Sequence, residues 1–163
     1  MQDRAVSSEE GRTDERDLET VYRNEGLDLW RAVVLSTGDP EVASDSVAEA
    51  YAQALRRGEA LDNPAAWIRH TAFRIAAGEM QRTRAIDQLP PDIASDVPER
   101  FFDLWRALAS LTPHQRTAVV LADYAGYSHR EIARTLGSTV AAVGVHVHRG
   151  RKQLRVLLEE GDD

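Results

Sequence analysis

The 163-residue chain has no cysteine. Disulfides, thiolate metal sites and cysteine nucleophiles are therefore excluded. Strand patterning is almost absent, and lysine nearly so: of 20 Lys and Arg residues, Lys152 alone is lysine. No apolar run approaches the roughly 18–20 residues that cross a bilayer. Residues 1–20 are acidic and polar, without the apolar stretch of a signal peptide. No membrane insertion is expected, and the expected location is cytoplasmic. Catalytic signatures are missing too: there is no HExxH, P-loop, GxSxG or GxGxxG. His146 and His148 lie two positions apart, about 200° around a helix, so they cannot share a metal on one face. The expectation is a chain that is not an enzyme, with no cofactor, no metal and no evident small-molecule ligand.

What remains is a charged, soluble composition, 29% charged and 42% hydrophobic. The net charge of −7 argues against nucleic-acid binding when taken whole. Its distribution says otherwise. Residues 1–63 carry 7 basic and 15 acidic groups, a net of −8. Residues 64–86 reach +3 and residues 128–155 reach +5. Two short basic segments thus stand in an acidic chain.

Helical periodicity fills the sequence. Leu18, Val21, Tyr22, Leu29, Trp30, Val33 and Val34 recur at three- and four-residue spacing, and Gly38 ends that pattern. Asp39-Pro40 and Asn63-Pro64 each read as an N-cap followed by proline at the first helical position. The helices they open are expected to run to about Arg57 and Arg84. Residues 86–97 (IDQLPPDIASDV) are rich in Pro and Asp without a period, and read as a flexible linker. Phe101, Leu104, Trp105, Leu108 and Leu111 then form a new stripe. Thr112-Pro113-His114-Gln115 and Ser128-His129-Arg130-Glu131 are capping boxes. The second opens a short helix that stops at Gly137, and a longer Arg-rich helix follows from Thr139 to about Leu158. That pair has a helix-turn-helix pattern.

The expected architecture is all-α, in two small helical domains at 16–85 and 98–159. Acidic tails at 1–15 and 160–163 are expected to be disordered. The linker reaches at most on the order of 40 Å. Its shortness and the low positive charge also predict domains packed together in the free protein, hiding DNA surfaces.

The last helix divides by angle. Val143, Val147, Gly150 and Leu154 share one stripe, while Ala141, Val145, His148, Arg149 and Lys152 lie opposite. Small residues near its start allow close entry into a major groove. Arg149 suits a bidentate contact to guanine or a phosphate, and Arg151, Lys152 and Arg155 suit phosphates. An ordinary solvated arginine face has the same pattern.

Residues 111–158 (LTPHQRTAVVLADYAGYSHREIARTLGSTVAAVGVHVHRGRKQLRVLL) resemble region 4 of sigma-70 family factors of the extracytoplasmic-function (ECF) subgroup. Residues 37–84 (TGDPEVASDSVAEAYAQALRRGEALDNPAAWIRHTAFRIAAGEMQRTR) resemble region 2 of the same subgroup, in the right order and with no region 3 between. The resemblance implies an alternative sigma factor. Region 2 would dock on the β′ clamp helices of bacterial core RNA polymerase and melt the −10 element. Region 4 would meet the β flap and read the −35 element. An anti-sigma factor is a further implied partner. The implied −35 residues are Thr139, Ala142, Val145, His148, Arg149 and Lys152. The implied −10 residues are Arg69, His70, Phe73, Arg74 and Arg82, with Trp67 as core and the loop Gly58–Asn63 as a base pocket. Asp45, Glu49 and Gln53 share a polar helix face implied to meet the polymerase. Gly144, Val145, His146, Arg74, Gly78, Glu79 and Gln81 depart from the family's usual residues at those positions. A degenerate sigma-like regulator acting through protein contacts is the alternative reading.

Overall fold

The computed structural model describes residues 6–57, 61–80 and 98–160. The expected linker 86–97, Arg82 and part of the loop Gly58–Asn63 lie outside the described residues. All elements among the described residues are helical. In chain order they are α1 (Val6–Thr37), α2 (Pro40–Arg57), α3 (Pro64–Met80), α4 (Glu99–Ala109), α5 (Pro113–Val119), α6 (His129–Leu136) and α7 (Val140–Glu160). Between α5 and α6 the chain widens into a π-helical turn, Val120–Tyr124.

Local chemistry sets the helix starts. The Asp39 carboxylate accepts from the backbone N–H groups of Glu41 and Val42 at 2.9 and 3.2 Å. Asn63 accepts from Ala66 N–H at 3.0 Å. Thr112 and Ser128 close full capping boxes with Gln115 and Glu131. Each cap satisfies a donor that the first helical turn would otherwise leave orphaned. One boundary differs from the sequence reading: α1 begins at Val6, inside the tail expected at residues 1–15.

In the first domain Leu29, Val33, Val34, Val47, Ala50, Tyr51, Ala54, Ile68 and Phe73 fill the space between α1, α2 and α3. Tyr22, expected in the buried stripe, is 59% exposed. It lies at the flank of α1, with its ring set edge-on to Tyr51 at 5.0 Å between centroids. Trp67 is half-buried, with the Arg57 guanidinium 5.5 Å over its ring. In the second domain Phe101, Trp105 and Leu108 bury one face of α4, and Leu111 is buried just past its end. Ile132, Val143 and Val147 bury α6 and α7.

The two domains pack on one another, and their cores are continuous. The C-terminal end of α1 meets α5 and the π-helical turn, and α3 meets α6. Arg116 ties the two domains by hydrogen bonds. Its side chain is only 4% exposed. Its Nε donates to the Ser36 carbonyl at 3.2 Å and its Nη2 to the Thr37 carbonyl at 3.3 Å. Thr117 Oγ1 adds a bond to the Ser36 carbonyl at 3.1 Å. A guanidinium thus caps the negative end of a helix from the other domain.

Candidate nucleic-acid interface

The α6–α7 pair presents the first candidate surface. Gly137 ends α6 at φ 62°, a left-handed conformation that glycine adopts without a Cβ clash. Thr139 starts α7, its hydroxyl accepting from Ala142 N–H at 3.1 Å. Thr139 is therefore a helix cap as well as an exposed side chain. The inward stripe forms as the angles require: Val143, Val147 and Gly150 are buried, and Leu154 is half-buried. Gly150 lets α7 press against α5, for a Cβ there would stand 2.5 Å from Val119 Cγ2.

This packing turns Val145, His148, Arg149 and Lys152 outward, all exposed, with Ala142 half-exposed beside them. Arg149 and Lys152 form no ion pair among the described residues, so both donors are open to a phosphate or a base edge. Arg151 differs from the sequence reading. It pairs with Asp123 of the π-helical turn through Nε at 2.9 Å and Nη2 at 2.5 Å, which ties α7 to its own domain. His146 departs as well. It is half-buried, its ring stacked on His114 with centroids 5.4 Å apart. Burial, then His114 and Arg149, hold its imidazole below the ordinary histidine range. The lowered value favours the neutral ring at a position where the resemblance expects a cation.

The second candidate surface, on α3, is largely covered. Phe73 is 2% exposed and packs edge-on against Tyr127 at 5.8 Å. It is a core side chain in this arrangement and has no face free to stack on a base. The His70 ring stacks on Tyr127 at 4.6 Å. Arg69 reaches Glu25 on α1 at 3.5 Å. Arg74 remains exposed. Tyr127 therefore covers the rings of His70 and Phe73, which were expected to face the −10 element. Its hydroxyl is buried, with no hydrogen-bond partner among the described residues.

Asp45 is exposed on α2, with Glu49 and Gln53 partly so, while Val47, Ala50, Tyr51 and Ala54 face the core. Glu49 is engaged within its own helix, accepting from Gln53 at 3.0 Å and from Arg56 at 2.7 Å. These donors hold its carboxyl below the usual range. Sequence reasoning missed Arg116 and Tyr127, two of the side chains that join the domains. The available signal was a basic residue just before the apolar run at residues 118–121 and an aromatic one in the short segment before α6.

Comparison with known proteins agrees with this geometry. The family model for sigma-70 region 4 matches residues 101–154. The ECF RNA polymerase sigma factor SigL of Mycobacterium tuberculosis is 26% identical over 159 residues, 88% of this chain and 89% of SigL. SigE of Mycolicibacterium smegmatis, another ECF sigma factor, is 53% identical over 56 residues, 34% of this chain and 22% of SigE. Among solved structures, the sigma factor RpoE in complex with the anti-sigma factor NepR from Bartonella quintana superposes with a TM-score of 0.65 at 20% identity. That match covers 89% of this chain and 96% of RpoE. Residues 101–154 thus match region 4 of sigma-70 factors, and along most of its length the chain is similar to sigma factors of the extracytoplasmic-function subgroup and shares their helical fold.

Proposed function

We propose that the chain is an alternative sigma factor, which binds bacterial core RNA polymerase in the cytoplasm and directs initiation at specific promoters. In this reading residues 16–85 form region 2 and residues 98–159 form region 4. The observation that carries it is the outward face of α7. Val145, His148, Arg149 and Lys152 stand free there, while the opposite stripe locks the helix to α5. A rigid helix with free donors at one face suits major-groove readout. Val145 would meet a thymine methyl, Arg149 would supply the specific donor and Lys152 would hold a phosphate.

Asp45, Glu49 and Gln53 are the proposed contacts to the polymerase clamp. Arg69, His70 and Arg74 are proposed to meet the −10 element, and Arg82 is kept with them on sequence grounds. His70 is covered by Tyr127 while the domains are closed. Engagement of the −10 element therefore requires the domains to part, and polymerase binding would supply the separation. The solved relative RpoE is held by an anti-sigma factor, and an inhibitor of that kind is the further partner proposed.

The test is run-off transcription with purified core polymerase on a library of promoters. The reading expects transcripts from defined start sites that depend on the chain. Polymerase binding without any initiation would favour the sigma-like regulator that acts through protein contacts alone.

A further inference from the structure

A cleft of about 530 Å³ opens where the two domains meet. Its lining comes in short pieces from the last turns of α3, the first turn of α5 and the last turn of α6. Ala77, Gly78 and Leu136 are among the groups that make its surface predominantly apolar. Arg74 of the first domain and Arg134 of the second stand at it, with His114. Both arginines are exposed, and Arg74 makes no hydrogen bond or ion pair with any described residue. The volume lies within the range of small-molecule sites, in which a few polar groups orient a ligand over apolar walls.

We propose that this cleft binds a small amphipathic organic anion, an acidic head on a compact apolar body, and that the ligand clamps the two domains together. One guanidinium comes from each domain. A carboxylate or sulfonate held between them would take charge-assisted hydrogen bonds from both. Such a bond pair exists only while the domains are closed, so the ligand favours the closed state by linkage. The lining offers no continuous helix face along which a peptide would lie, which favours a compact ligand. The inference does not depend on the chain initiating transcription.

The experiment titrates the full chain with 8-anilino-1-naphthalenesulfonate, follows its fluorescence and displaces it with 2-naphthoate. Gly78→Leu plugs the cleft, since a Cβ at Gly78 has nothing within 4 Å. We expect one probe site, displaced by naphthoate. Arg74→Ser and Arg134→Ser should each weaken it about tenfold, as for loss of a charge-assisted bond. Gly78→Leu should abolish binding with helicity unchanged in circular dichroism. Naphthoate should also narrow the interdomain distance distribution of a doubly labelled chain. Probe affinity indifferent to all three substitutions would overturn the site. Displacement by inorganic phosphate as effectively as by naphthoate would overturn the amphipathic class. Binding without narrowing would overturn the clamp.

Discussion

Replacing Arg116 with alanine is expected to open the protein. Two bonds from its guanidinium to the Ser36 and Thr37 carbonyls, at 3.2 and 3.3 Å, cross the domain boundary. Bonds to a charged group contribute about 1.5–3 kcal/mol each. Part of that is offset when a buried guanidinium no longer has to be desolvated. A net loss of about 2–4 kcal/mol of closure remains, which lowers the closed-to-open ratio roughly 30- to 700-fold. The native chain has no cysteine, so single cysteines placed at the exposed positions Ala48 and Ser138 accept a donor and an acceptor dye cleanly. Single-molecule energy transfer should show one compact population for the parent and a lower-transfer population for Arg116→Ala. Thr117→Val, which removes one neutral bond of 3.1 Å, should shift it by a smaller amount, about 1 kcal/mol. An unchanged distance distribution in Arg116→Ala, with helicity retained, would refute the reasoning.

Two glycines of α7 should respond oppositely to alanine in thermal unfolding. Gly150→Ala forces a Cβ to 2.5 Å from Val119 Cγ2 and 3.3 Å from the Gln115 carbonyl, and should destabilise by about 1–3 kcal/mol. Gly144→Ala meets His129 only at 3.7 Å, and should stabilise by up to about 1 kcal/mol through helix propensity. Arg149→Ala should weaken binding to a −35 duplex by about 1–3 kcal/mol in mobility-shift titrations, whereas Lys152→Ala should weaken all duplexes alike and flatten the salt slope. Asp123→Asn should release Arg151 from its pair and strengthen duplex binding without regard to sequence. Glu131 carries a pH test. The Ser128 backbone N–H donates to its Oε2 at 2.7 Å, and this bond holds the carboxyl below the usual range. A depressed folded-state pKa adds stability above the unfolded value and loses it as pH falls through the folded one. The stability advantage over Glu131→Gln should therefore be largest at neutral pH and shrink on acidification through and below the carboxylate range.

The sequence made some of this legible because the causes are local. Asp39, Asn63, Thr112 and Ser128 bond to backbone groups two or three residues away, and short-range chemistry reads directly from residue order. The angular division of α7 was legible for the same reason, one stripe buried and one face free. What lies between the domains was not. Residue order shows aromatic side chains at Phe73 and Tyr127, but not that they meet each other. Nor does it say that Arg116 spans to carbonyls some eighty residues earlier. His70 and Arg69 looked available in one dimension, and their partners Tyr127 and Glu25 come from other elements. The cleft beside Arg74 and Arg134 exists only through that packing.

The central claim is that this chain, bound to core polymerase, parts its domains and opens promoter DNA. The direct measurement places 2-aminopurine within the −10 element of a promoter that the chain selects and follows its fluorescence after mixing with core polymerase. A rise that requires both proteins, and that weakens with Arg149→Ala, is the predicted result. Polymerase that binds the chain yet leaves the duplex stacked on every promoter tried would contradict the account.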